Sequence, residues 1–222
     1  LKVQLIIKER KMKVFVIGAG NVGGGQVRSA VKAGHQVSVL ASASNQLAEL
    51  VAETGATLAT SIADGAQGAD LIYLAIPANA VAAVAAELKS GVGSAVVVDG
   101  TNPLNATFSD LEYKGESAAA DLQALLPGVS VVKAFNTVFA SRYSSPSQNG
   151  NALQVFIAGN EEAANAKVSE YAKSLGFDPV VLGGLRFAKS MEEMAFLNIA
   201  LNASKGLTWT SAWSLTGPDG LK

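Results

Sequence analysis

The sequence contains no cysteine, which removes structural disulfides, thiolate nucleophiles and cysteine-ligated metals at once. It holds one histidine, His35, too few for a histidine-built zinc site. A dominant charge is also missing. Seventeen Lys and Arg stand against eighteen Asp and Glu, for a formal net charge of −1, and the basic residues are scattered. Such a balance cannot neutralise a nucleic-acid backbone, so DNA and RNA are not expected partners. No apolar run approaches the roughly 18 residues of a membrane span, and Leu1–Ile7 is too short and wrongly flanked for a secretory signal. A cytoplasmic protein without a membrane partner is expected.

What is present is small and apolar. Hydrophobic residues make up 49% of the 222-residue chain and aromatics 6%, with 22 glycines, a composition suited to helices packed closely on a sheet. The length suggests one main domain with a small appendage.

Strand-like and helix-like segments alternate along the chain. Lys13–Ile17 is a short apolar run ending in glycines, as expected of a strand buried on both faces. Val22–Ala33 reads as helix, Gly34 and His35 stop it, and Gln36–Ala41 closes a βαβ unit of about 30 residues. Helices are expected over Asn45–Thr54, Asn79–Lys89 and Ser117–Leu126, and strands over Asp70–Ile76, Ala95–Asp99 and Val129–Phe135. The fold class is therefore α/β, a doubly wound parallel Rossmann sheet. The Ser-, Pro-, Asn- and Gly-rich stretch Arg142–Asn151 suggests a boundary. This gives a Rossmann domain over 12–140 and a small C-terminal α/β segment over 141–222, with strands at Leu153–Ala158 and Pro179–Leu182 and helices at Glu161–Leu175 and Met191–Ala203. Residues 1–11 read as sequence upstream of Met12 or as an edge strand, and carry no assigned function.

Gly18-Ala-Gly-Asn-Val-Gly23 falls between the first expected strand and the first expected helix. In that context Gly18 allows the tight turn, Gly20 lets the backbone approach a pyrophosphate, and Gly23 lets helix and strand pack closely. Asn21 and Val22 complete the turn. The second strand ends in Leu40-Ala-Ser-Ala-Ser-Asn45, with no acid to receive the ribose hydroxyls of NAD. Ser42 and Ser44 there can donate hydrogen bonds to a 2′-phosphate, which favours NADP(H), although Ser44 also suits a helix cap.

The carboxyl ends of the remaining parallel strands complete the expected crevice. Ala75, Ile76 and Pro77 would flank the adenosine side. Asn102, Ala134, Asn136 and Thr137 stand near the expected nicotinamide, with donors and acceptors on Asn102, Asn136 and Thr137. A loop or turn role is equally open for each of these alone. Met191, Met194, Ala195, Leu197 and Asn198 lie at near-helical spacing and could wall an acceptor pocket or form ordinary core. Trp209 and Trp213 suit a subunit contact or the small segment's interior.

Four stretches together carry a more specific likeness: Val14-Phe-Val-Ile-Gly-Ala-Gly-Asn-Val-Gly23, Val98-Asp-Gly-Thr-Asn-Pro-Leu104, Val132-Lys-Ala-Phe-Asn-Thr137 and Met191-Glu-Glu-Met-Ala-Phe-Leu-Asn-Ile199. From Met12 onward the sequence resembles the NADPH-dependent coenzyme F-420 (F420) reductases, and in Lys133–Thr137 it is similar to their bacterial members and to the cytosolic domains of ferric reductases. The resemblance implies hydride exchange between NADP(H) and a deazaflavin, F420, or a flavin such as FMN or FAD, and a homo-oligomer, taken as a dimer. It implies Gly18, Gly20, Asn21, Val22 and Gly23 at the pyrophosphate, Ser42 at the 2′-phosphate, and Ile76 and Pro77 at the adenosine. Family members commonly follow that serine with a basic residue, where this sequence has Ala43.

No catalytic acid or base is expected, because a hydride donor needs position and exclusion of water more than side-chain chemistry. His35 lies at the far end of the second strand and Tyr73 inside another. A non-catalytic NADPH sensor and a reductase of small carbonyls or imines are the alternative readings, the latter lacking an evident proton donor.

Overall fold

The computed structural model describes residues 10–42 and 44–217; most of the 1–11 segment and Ala43 lie outside the described residues. An eight-stranded sheet forms the centre. Its amino-terminal half contains β1 (Lys13–Ile17), β2 (Gln36–Leu40), β3 (Thr57–Leu58), β4 (Leu71–Leu74), β5 (Val96–Asp99) and β6 (Val131–Ala134), with α1 (Asn21–Lys32), α2 (Asn45–Thr54), α3 (Ile62–Ala66), α4 (Val81–Leu88) and α5 (Ala118–Leu125) as connections. After a small hairpin of β7 (Ser147–Gln148) and β8 (Asn151–Ala152) come β9 (Gln154–Gly159), α6 (Glu162–Ser174), β10 (Asp178–Gly183) and α7 (Ala188–Lys205).

The spatial order is β10-β9-β6-β5-β4-β1-β2-β3. All pairings are parallel except that of β6 with β9. The fold is thus the doubly wound Rossmann type, and the strands after residue 140 extend the same sheet. Among the described residues no helix is long and apolar enough to cross a membrane.

Side-chain alternation explains why both faces are covered. Val14 and Val16 of β1 point to one face, where Val27 and Ala30 of α1, Leu50 of α2 and Val168 and Tyr171 of α6 meet them. Phe15 and Ile17 point to the other, against Ile62 of α3, Ala85 and Leu88 of α4 and Leu122 of α5. This period of two on a sheet covered on both sides produces continuous apolar runs rather than an alternating pattern. Truncating one such residue, Leu71 for example, would cost about 2–5 kcal/mol.

Helix starts follow the capping residues. Ser44, Ser61 and Ser117 each accept a hydrogen bond from the backbone N–H three residues on, the geometry that favours serine at these positions. The sequence reading missed β3 and α3; β3 is two exposed residues, too short for a periodic signal. His35 is buried at the amino ends of the strands. Its Nδ1 accepts the Met12 N–H at 3.1 Å, so Nε2 carries the proton and donates to Ser174 Oγ at 2.7 Å. The histidine therefore ties β1 to α6, away from the crevice.

Candidate functional site

The glycine turn has two tight positions and one open one. Gly18 has a φ of +109°, and a Cβ there would lie 2.1 Å from the carbonyl oxygen of Ala75. A Cβ on Gly23 would lie 2.0 Å from the carbonyl oxygen of Gly18. Both distances are prohibitive, so the turn, the β4 end and α1 close on one another only without side chains. Gly20 differs, because its Cβ would meet nothing within 4 Å. It is also the N-cap of α1, with no side chain capping the helix. Uncapped N–H groups and the helix dipole make this end receptive to an anion.

The turn lies where β1 passes between β2 and β4, the point at which strand order reverses and α/β sheets bind ligands. A cavity of about 1180 Å³ opens there. Its first wall is Gly20, Asn21 and Val22 with Ala75, Ile76 and Asn102. Its floor includes Phe135, Asn136 and Thr137. The facing wall comes from α7, through Ala195, Asn198 and Ile199, and from Trp209 beyond it.

Not every expected residue reaches this cavity. Gly18 and Gly23 shape it from behind. Ser42 and Pro77 are exposed and outside its lining, as is Ser44, whose hydroxyl caps α2 by accepting from Leu47 N–H. Gln46, the second residue of α2, does line it. Ala134 is fully buried within the sheet. On α7, Ala195 and Asn198 line the cavity, whereas Met191 is buried in core, Met194 packs against it and Leu197 is 49% exposed. Trp213 packs with that same small core, and its indole N–H donates to the Met194 carbonyl at 2.9 Å. Trp209 stands at the cavity instead, its ring 5.4 Å from that of Phe139.

Asn102 and Asn136 join the ends of β5 and β6. Asn102 Nδ2 donates to the Asn136 carbonyl at 2.9 Å, and Asn136 Nδ2 donates to Asn102 Oδ1 and to the Met191 carbonyl, both at 3.0 Å. A carbonyl can only accept, so the Asn136 amide orientation is fixed and its Oδ1 is left buried without a protein partner. An orphaned acceptor in a ligand-sized cavity fits a donor on a bound molecule, such as a carboxamide NH₂.

Beneath this pair lies a buried ionic cluster. Lys133 Nζ donates to Asp99 Oδ2 at 2.9 Å and to the Thr101 carbonyl at 2.7 Å, and stands 2.9 Å from Glu192 Oε1. Asp99 Oδ1 also accepts from the N–H and hydroxyl of Thr101. Glu192 accepts the N–H groups of Ala118 and Ala119 at the start of α5. Burial opposes the ammonium, but the two carboxylates outweigh it and raise the Lys133 pKa above its ordinary value. The cluster fastens β5, β6, α5 and α7 together. Sequence reasoning assigned it no role; a lysine inside an otherwise apolar parallel strand was the signal, since it requires a buried counter-charge.

Phe135 holds a left-handed backbone, φ +65°, within a ring cluster of Tyr73, Tyr143, Tyr171 and Phe177. Such a conformation costs about 1–3 kcal/mol and persists only where packing enforces it. Tyr143 reaches the cavity, but its hydroxyl pairs with that of Tyr73 at 3.0 Å. Burial pushes both phenols well above their ordinary pKa, which makes them poor proton donors. Arg28 and Lys32, along α1, are the only charged residues lining the cavity among those described. Arg28 is held by Glu53 at 2.7 Å.

Comparison with known proteins places these features. Residues 13–103 match the family described as NADP oxidoreductase, coenzyme F420-dependent. The F420-dependent NADP reductase of Methanothermobacter thermautotrophicus is 26% identical over 214 residues, covering 89% of this chain and 92% of that protein. Rat metalloreductase STEAP3 is 36% identical over 97 residues, 44% of this chain. That stretch spans only 19% of the metalloreductase. Among solved structures, a protein of Arthrobacter sp. fb24 assigned as an F420-dependent NADP-reductase superposes with a TM-score of 0.82 at 26% identity, covering 92% of this chain and all of the other.

Proposed function

We propose that the chain is a member of the F420-dependent NADP oxidoreductase family, whose model matches residues 13–103, and that it passes a hydride between NADP(H) and a deazaflavin or flavin docked in the same cavity. The observation that carries this reading is the open Gly20 at the uncapped start of α1, on a cavity larger than one drug-sized ligand fills.

NADPH supplies the hydride, and the protein holds and shields it. The N–H groups at Asn21 and Val22 would take the pyrophosphate and Ile76 would pack on the adenosine side, while Gln46 on the lining and Ser42, exposed just outside it, would receive the 2′-phosphate. Asn136 Oδ1, left without a protein partner, would accept from the carboxamide and so hold the nicotinamide in place. Ala195 and Ile199 of α7 exclude water from the far side, and Trp209 with Phe139 offers flat apolar surface to a planar acceptor. The proton that accompanies the hydride comes from solvent. Carbonyl or imine reduction fits less well, because Tyr73 and Tyr143 occupy each other.

The 12–140 portion thus carries the nucleotide and the 141–222 portion closes the acceptor side. Leu197 and Leu201 of α7 and Leu207 beyond it are 49%, 42% and 46% exposed, an apolar surface suited to a homodimer; the solution mass tests this.

The central test is NADPH oxidation followed by absorbance with F420, FMN, FAD and no acceptor in parallel. Reduction of F420 supports the deazaflavin branch and reduction of flavins alone the flavin branch. Tight NADPH binding without turnover would overturn the enzyme reading in favour of a sensor.

A further inference from the structure

Three charged groups are sealed beneath the cavity, and their charges do not cancel. Lys133 and Glu192 have side chains 0% exposed, and Asp99 is 2% exposed. Each carboxylate oxygen of Asp99 and Glu192 that is engaged receives only donors: an ammonium, a hydroxyl or backbone N–H groups. That is the environment of ionised, acceptor-only carboxylates. One cation against two anions leaves a buried charge of −1, softened but not cancelled by the N-terminus of α5. Solvent and salt screen such a charge poorly.

The position of this charge gives it consequence. Asp99 is at the carboxyl end of β5, and Lys133 pairs with it in register on β6. Lys133 also binds the Thr101 carbonyl, and Thr101, Asn102 and Asn136 line the cavity. On the NADP(H) reading above, on which this inference rests, the nicotinamide lies over these strand ends. When C4 of the nicotinamide gives up a hydride, with its electron pair, to the acceptor, the ring passes from neutral to cationic.

We propose that the Lys133–Asp99–Glu192 cluster is a redox-tuning device: its net negative charge stabilises NADP⁺ over NADPH in the cavity and so makes the bound nucleotide a stronger hydride donor. These are positioning residues acting through space, without contact to the reacting atoms.

The test is the ratio of dissociation constants for NADP⁺ and NADPH, measured separately by equilibrium titration and independent of any acceptor. Glu192→Gln and Asp99→Asn each remove one negative charge. Each is expected to raise Kd(NADP⁺)/Kd(NADPH) roughly five- to thirtyfold, the range for one charge at about 8–17 Å in a medium of effective dielectric constant around 20. At about 30 mV per tenfold change for a two-electron couple, this shifts the bound potential upward by about 20–45 mV. Lys133→Arg keeps the charge and should leave the ratio within about twofold.

A purely structural role would weaken both oxidation states in parallel; an unchanged ratio in the neutralised variants overturns the proposal. Should those variants fail to fold, the wild-type chain decides alone: NADP⁺ bound more tightly than NADPH supports the device, and the reverse order overturns it. Failure of the wild type to bind either nucleotide would instead sink the cofactor reading itself.

Discussion

The turn that carries Gly18, Gly20 and Gly23 is made by six consecutive residues and their backbone, whereas the wall facing it is assembled from Phe139, α7 and Trp209, separated by as many as 70 positions in the chain. The first needs an absence of side chains and the second depends on which side chains are present. A backbone-built site tolerates almost no substitution where atoms touch, but it accepts many ligands that share a phosphate. A wall of side chains tolerates change without loss of fold, and selects among ligands.

Substitution at the tight glycines should produce the largest effect. Gly18→Val or Gly23→Val would drive a Cβ into a carbonyl oxygen at 2.1 or 2.0 Å, and should destabilise the protein by more than about 3 kcal/mol, seen as a collapse of the thermal transition. Gly20→Val breaks the comparison if it behaves likewise. Its Cβ faces open space, so the melting temperature should hold within about 2 °C while NADPH affinity falls on the order of 100-fold.

A smaller effect is expected at the end of β2. Ser42→Asp should shift the NADPH-to-NADH preference by roughly tenfold or more toward NADH, through repulsion of the 2′-phosphate; an unchanged ratio places that phosphate elsewhere. The smallest is on the facing wall. Trp209→Ala should raise the acceptor KM about three- to tenfold, the value of one aromatic contact, with NADPH affinity untouched. A loss of NADPH affinity there would merge the two walls into one functional unit.

The same contrast decides what could be read in advance. The expected span of α2, Asn45–Thr54, coincides with the helix found, because a serine cap and a closing glycine bracket it. The glycine turn was legible because its meaning is local: three positions, one strand before, one helix after. Phe108 and Tyr143 also reach the cavity, yet nothing in their neighbourhoods marks them, since only the tertiary fold brings them together. Lys133 stood in plain view within Val-Val-Lys-Ala, but its partner Glu192 lies 59 residues away on α7. The sheet beyond β6 was legible as strands and not as a continuation, because the antiparallel β6–β9 pairing is a long-range choice that periodicity does not record.

The two tryptophans give the protein an optical gauge of its own. Trp209 stands at the cavity against Phe139, while Trp213 is pinned to α7 by its indole N–H. A chromophore entering the cavity will accept excitation from the first more efficiently than from the second, so partial quenching reports occupancy. Loss of α7 packing would wet Trp213 and shift its emission to the red, whereas Trp209 is already 44% exposed. One spectrum of the unlabelled chain therefore distinguishes a filled site from a failing fold.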